Sequence, residues 1–256
     1  MAFDWKKESE MFDQMADYYD KYRPSYPSET ITAIIDKASL TTGSKILEIG
    51  AGSGKATEQF ADFGFEIVCI EHGEDLVKKG NERFQSKDIK FIASKFENYD
   101  TPSEYFDAII SAQAFHWLEQ PLGYEKCAKT LKKGGYLAPF WNVGRAESND
   151  ELFSIVHKYG PVSCMPKANY KKRMEQISSD IADSGLFTPP EVIHFHWEKN
   201  YSTEEYCGYL LTGNMFVQKP DEEKQECFEE IKKLAKKHDG VIRCGYVCEL
   251  YLARRV

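Results

Sequence analysis

KILEIGAGSGKATEQF, residues 45–60, sets three glycines within five positions directly after a short apolar run. Glycine loses more conformational freedom on folding than any other residue. Such density implies a backbone that something must approach closely. KILEIG reads as a buried strand ending at glycine, and helical spacing resumes over residues 55–63. A strand that runs into a glycine loop and then a helix places the loop at the ligand-binding edge of a parallel sheet. There glycines permit the tight turn and leave no side chain between backbone and ligand.

Working outward, FEIVCIE (65–71) is a second strand ending in an acid, GEDLVKKGNERFQ (73–85) a helix and IKFIA (89–93) a third strand. YFDAIISAQ (105–113) is a fourth strand. PLGYEKCAKTLKKGG (121–135) is a helix closed by Gly134 and Gly135, and YLAPFWN (136–142) a fifth strand. Upstream, SETITAIIDKAS (28–39) has apolar residues at helical spacing behind a serine cap. This alternation predicts an α/β fold with a doubly wound, mostly parallel sheet. After residue 145 the pattern changes. Helical stretches near 149–160, 170–184, 203–212 and 220–238 accompany two alternating strands, 192–201 and 246–255, for seven strands in all. The expected organisation is an N-terminal lid and first helix (1–40), a cofactor-binding core (41–145), and cap helices with the last two strands completing the same domain (146–256).

The chain has 256 residues, 42% of them hydrophobic and 14% aromatic, enough for a substantial core. A formal net charge of −8 argues against a nucleic-acid partner. Lysine-rich clusters, among them Lys171, Lys172 and Arg173, read as solvated helix faces. Seven scattered cysteines without a CxxC pair read as reduced thiols rather than a zinc site. His194 and His196 share a strand face but lack a third ligand at sensible spacing, so no metal is expected. The N-terminus has no apolar signal core and no 18-residue apolar run exists. A cytoplasmic protein without a membrane span is the expectation.

The loop spacing narrows the ligand. A dinucleotide fingerprint would place its third glycine at 55, where Lys55 stands. An acid two residues before the first glycine suits an ammonium-bearing ligand better than a pyrophosphate. EIGAGSG (48–54) resembles motif I of the class I S-adenosylmethionine-dependent methyltransferases, a Rossmann-like family. The resemblance implies S-adenosylmethionine as cofactor, with Glu48, Gly50, Ala51, Gly52 and Gly54 around its methionine part. It also implies Glu71 accepting both ribose hydroxyls beside His72. In FIASKFENY (91–99) Phe96 is placed to wall the adenine, while Lys95 stands where the family has an aspartate. Ala112, Gln113 and Tyr19 complete the implied cofactor set.

YYDKYRPSYP (18–27), SAQAFHWLEQP (111–121) and the terminal ELYLARRV together resemble the trans-aconitate methyltransferase-like group. Ala16, Tyr19, Arg23, Pro24, Tyr26 and Pro27 fit its first pattern; Gln113, Ala114, His116 and Trp117 fit its second. The resemblance implies a small-molecule acceptor, with a carboxylic acid favoured, held by Arg23, Tyr22, Trp117 and Trp141. His116 either orients the acceptor as a catalytic residue or packs beside Trp117. A carboxylate is ionised at neutral pH and needs no general base. Monomer and homodimer remain open. The alternatives are an NAD(P)-dependent oxidoreductase, disfavoured by Lys55, and a cofactor-binding module without catalysis.

Overall fold

The computed structural model describes residues 16–145, 149–160 and 167–256. The chain forms two compact units. One contains Ser25–Asn142, Lys171–Phe195 and Cys248–Val256; the other contains Met1–Pro24, Val143–Tyr170 and His196–Val247. Cys164, expected to be a thiol, lies outside the described residues.

Seven strands run through the chain: β1 (Lys45–Ile49), β2 (Glu66–Glu71), β3 (Ile89–Ala93), β4 (Phe106–Ala112), β5 (Leu131–Arg145), β6 (Glu191–Ser202) and β7 (Val241–Arg254). They hydrogen-bond in the order β3-β2-β1-β4-β5-β7-β6, mostly parallel with one antiparallel hairpin. This is the doubly wound sheet anticipated from the alternation. β1 is buried from its second residue onward, as expected of an apolar strand with both faces covered. β1 pairs in parallel with β2 on one side and β4 on the other. The strand order reverses there, so the loop leaving β1 sits at the switch point where open α/β sheets bind ligands.

In the first unit, helix α2 (Ser28–Lys37) buries Thr30, Ile31 and Ile34. Its cap is Pro27 rather than a serine: Ser28 is already helical, and its hydroxyl donates to Glu29. Helix α3 is only Thr57–Phe60, shorter than the expected 55–63, because turns flank it on both sides. Helix α4 (Glu74–Arg83) lays Leu76, Val77 and Gly80 inward. Helix α5 (Leu122–Thr130) does not continue to the glycine pair. Leu131 already pairs with Phe106, and the next matched pair is Ala108 with Tyr136. Gly134 (φ +77°) turns the intervening excursion, and a Cβ on Gly135 would lie 2.9 Å from the Asp107 carbonyl. These glycines build an irregularity in the ladder, not a helix end.

The second unit holds α1 (Ala16–Tyr22), α6 (Asp150–Lys158), α8 (Thr203–Leu210), α9 (Asn214–Val217) and α10 (Asp221–Lys237). Its core gathers Leu152, Tyr201, Tyr206, Leu210, Phe216 and Ile231. Ser202 and Glu205 form a reciprocal capping box at the start of α8. The ring of Tyr22 fills the space that a Cβ on Gly208 would need, approaching to 2.6 Å. Helix α7 (Lys167–Asp183) runs from this unit into the first. There its residues Met174, Ile177 and Ile181 are buried. β7 begins at Val241, five residues before the expected start.

Candidate active site

Gly50 leaves β1 with its N–H bonded to the Ile70 carbonyl at 2.8 Å. Gly50, Gly52 and Gly54 all have positive φ (+68°, +59° and +90°), a conformation that other residues adopt only at a cost. The three have different reasons to lack a side chain. A Cβ on Gly50 would lie 2.4 Å from the Ala114 Cβ, and one on Gly54 would lie 2.5 Å from the Phe84 ring. A Cβ on Gly52 would meet nothing within 4 Å. Two glycines admit the protein's own side chains, and only Gly52 opens its backbone toward free space. Ala51 between them is buried.

Glu71 ends β2 with its carboxylate nearly buried. One oxygen accepts from the Gly52 N–H at 2.9 Å; the other accepts from the N–H groups of His72 (2.8 Å) and Gly73 (3.0 Å). His72 Nδ1 lies 3.0 Å from the same oxygen. Burial by itself pushes this carboxyl up, but His72 and the two backbone donors outweigh it and hold it below the usual glutamate value. Glu71 therefore fastens the strand end to the glycine loop, a role its sequence position did not disclose.

Glu48, in the middle of the sheet, points the opposite way in energy. Its Oε2 accepts from the Thr57 hydroxyl at 2.6 Å, while Oε1 is buried without a hydrogen-bond partner among the described residues. Burial, with a smaller push from the Glu71 charge, raises its pKa to about 8. A buried oxygen that lacks a donor, beside a loop whose central glycine faces open space, fits a ligand that brings an ammonium group and needs close backbone contact. The residues fit S-adenosylmethionine on both counts.

Phe96 opens a short 3-10 turn (Phe96–Asn98) and is buried, with Lys126 Nζ 5.1 Å from its ring centre. Lys95 is exposed beside it. Ala112 ends β4, and Gln113 follows in the left-handed region at φ +63°. The Gln113 N–H donates to the Phe140 carbonyl, and its side chain donates to the Asn142 carbonyl at 3.1 Å. A non-glycine residue strained at a strand's carboxyl end, held by two such bonds, is a feature that clusters at functional sites.

His116 lies in the next turn, Phe115–Trp117. The Trp141 indole N–H donates to His116 Nδ1 at 3.1 Å. Trp141, the β5 residue just past the last pair with β4 (Ala112 with Phe140), is buried and meets Tyr251 edge-on, whereas Trp117 is partly exposed. Burial, followed by the nearby Arg173 charge, lowers the His116 pKa to about 4. The ring is thus neutral, its Nδ1 lone pair is taken, and its proton sits on Nε2. Arg173 donates from Nη2 to the His116 carbonyl at 3.1 Å. The sequence pattern placed it on a solvated face with Lys171 and Lys172; those two are exposed, but Arg173 is half-buried.

In the helical unit, Arg23 donates to the Thr212 carbonyl at 3.0 Å, with Tyr19 and Tyr209 rings about its guanidinium at 5.1 and 5.5 Å. Tyr22 is buried and its hydroxyl donates to Glu204. His194 is half-exposed, 3.8 Å from Glu249. No group of three or more histidine, cysteine or acidic side chains among the described residues could hold a metal ion, and no helix among them is long and apolar enough to cross a membrane.

Residues 47–138 match the family model described as a methyltransferase domain. A Dictyostelium discoideum methyltransferase is 26% identical over 215 residues, covering 82% of this chain and 79% of that protein. Among solved structures, a type II methyltransferase from Anaeromyxobacter dehalogenans aligns over 91% of this chain and 98% of its own, with a TM-score of 0.65 at 17% identity. A Haemonchus contortus phosphoethanolamine N-methyltransferase, solved with phosphomonomethylethanolamine and S-adenosylhomocysteine, aligns with a TM-score of 0.57 at 15% identity. That match covers 95% of this chain and 57% of the nematode protein. The chain carries a methyltransferase domain on the Rossmann-like methyltransferase fold, and it is a methyltransferase dependent on S-adenosylmethionine. Its methyl donor is S-adenosylmethionine, and the dinucleotide alternative left open by Glu71 is set aside.

Proposed function

We propose that the protein O-methylates a small carboxylic acid beside the carboxyl end of β4, as the likeness to the trans-aconitate methyltransferase-like group suggests. When bound, S-adenosylmethionine supplies a sulfonium methyl that an acceptor lone pair takes as the C–S electron pair returns to sulfur, turning a carboxylate into a methyl ester with no proton moved. The open backbone of Gly52 receives the donor, Glu48 meets its ammonium, and Glu71 accepts from its ribose while holding the loop. Phe96, Ala112 and Gln113 belong to the adenine end of the same reading.

One observation carries the choice of acceptor. The Trp141 indole occupies His116 Nδ1, so the imidazole offers an N–H rather than a lone pair. Among the described residues, the charged group that acts on this imidazole is Arg173, a donor only, and Arg173 in turn acts on Tyr124, whose phenol burial and the Asp180 charge push up. Asp180 accepts from Gln176 at 2.6 Å. The imidazole N–H and the guanidinium supply donors to an acceptor that is already ionised, and neither is a base for a phenol or an amine. Catalysis then rests on alignment and exclusion of water.

Incubation with methyl-labelled S-adenosylmethionine and a panel of carboxylic acids, phenols and amines tests the proposal. Label should appear in base-labile esters. Transfer to phenols or amines alone contradicts it.

A further inference from the structure

The geometry points to Arg173 as the residue that anchors the acceptor's carboxylate, with the His116 Nε2–H as the second donor. This rests on the carboxylate reading above and names the side chain that recognises it. Arg173 approaches the turn after β4 from helix α7, and its one hydrogen bond among the described residues goes to the His116 backbone carbonyl. That leaves most of the guanidinium's five N–H donors unused. No carboxylate among the described residues pairs with it. Asp180, seven residues on and therefore on the same helix face, is held by Gln176 instead.

A half-buried guanidinium bonded to the His116 turn, without an acid among the described residues to neutralise it, is an anion site waiting for a partner. His116 is fixed beside it, because the Trp141 bond to Nδ1 sets both the ring's orientation and its tautomer. The Tyr124 hydroxyl, close enough for the Arg173 charge to act on it, is buried and has no hydrogen-bond partner among the described residues. The cluster therefore offers donors from α5, the turn after β4, and α7. Two oxygens of one carboxylate match the fork of an arginine.

The test uses full-length protein with S-adenosylhomocysteine bound, titrated with citrate, succinate and benzoate while tryptophan fluorescence is followed, since Trp117 and Trp141 flank the site. Methyl transfer to the same acids is measured in parallel. Arg173→Ala should weaken binding of the acid that wild type accepts by about 30- to 100-fold, the loss expected of charge-assisted hydrogen bonds. KM should rise to match, with kcat within about threefold. Arg173→Lys should recover part of the loss, and millimolar guanidinium should partly rescue Arg173→Ala. S-adenosylhomocysteine affinity and the circular dichroism spectrum should not change in either variant. Unchanged acid affinity in Arg173→Ala, with wild type methylating acids, overturns the anchor and leaves the carboxylate reading standing. A matched loss of S-adenosylhomocysteine affinity in both variants assigns Arg173 a purely structural role. Wild type that binds and methylates none of the acids but modifies a phenol or amine overturns both.

Discussion

The glycine loop and the His116 cluster both sit at carboxyl ends of strands in one sheet, yet they are assembled from different material. The loop draws its parts from one continuous stretch, residues 45–71, in which strand, glycines, helix and strand-end acid follow in order. The cluster draws one side chain each from the turn after β4, strand β5 and helix α7. The loop's partners are backbone groups, and its key carboxylate bonds three N–H groups. The cluster is tied by side-chain donors: an indole takes one imidazole lone pair, and a guanidinium donates to the turn's backbone carbonyl. A motif of the first kind is dictated locally, and we assign it to the cofactor; one of the second kind is dictated by tertiary packing, and we assign it to the acceptor.

The largest effects separate the glycines. Gly50→Val and Gly54→Val should lose about 2–6 kcal/mol from overpacking and backbone strain, a large part of a typical domain's stability. A Cβ at Gly52 meets no neighbour within 4 Å, so Gly52→Val should fold with only about 1–3 kcal/mol of strain while losing S-adenosylhomocysteine binding. Thermal melts alongside ligand titration check both. Equal destabilisation in all three would erase the distinction between packing glycines and the ligand-facing one.

Glu71→Ala should weaken S-adenosylmethionine and S-adenosylhomocysteine alike by about 1–3 kcal/mol. Unlike Gly52→Val, it should also lower the melting temperature, because it strands the N–H groups of Gly52, His72 and Gly73. Glu71→Gln should do less on both counts. A loss confined to the sulfonium form would place Glu71 away from the ribose.

Glu48 predicts a pH dependence on the cofactor side. Its carboxyl, held up to about 8 in the ligand-free protein, should ionise when an ammonium binds against it. Affinity should rise with pH between 6 and 8, with protons released to buffer in calorimetry, and Glu48→Gln should abolish the slope. Ligand-free stability should fall over the same range, because the native state holds a proton that the unfolded chain gives up near 4.5. A pH-independent affinity would remove Glu48 from the ammonium site.

The smallest effects concern His116. His116→Ala should leave turnover within about tenfold, below the usual contribution of a general base. Folding keeps this ring neutral down to about pH 4, whereas the unfolded chain takes up its proton near 6.5. Stability should therefore fall as pH drops through that window. His116→Gln should flatten the fall in denaturant melts.

The doubly wound sheet, the switch-point loop and Glu71 at the end of β2 were legible because each signal is local in sequence. Other features were not. The pair Gly134 and Gly135 looks identical as a helix stop or as a ladder irregularity, and only the pairing of Leu131 with Phe106 decides. That Gly50 and Gly54 exist for Ala114, Phe84 and Phe91 depends on residues 30 or more positions away. Arg173 was hidden because it follows two exposed lysines, and a charge run carries no sign of which member turns inward.

Methyl transfer without a base has its plainest signature in the pH profile of kcat. Wild type is saturated with S-adenosylmethionine, so that Glu48 linkage drops out, and kcat for the accepted substrate is followed from pH 6 to 9. With a carboxylic acid the profile should be flat, since carboxylates are already ionised there. A rate that climbs through a pKa near neutrality, with His116→Ala about a thousandfold slower, would contradict it.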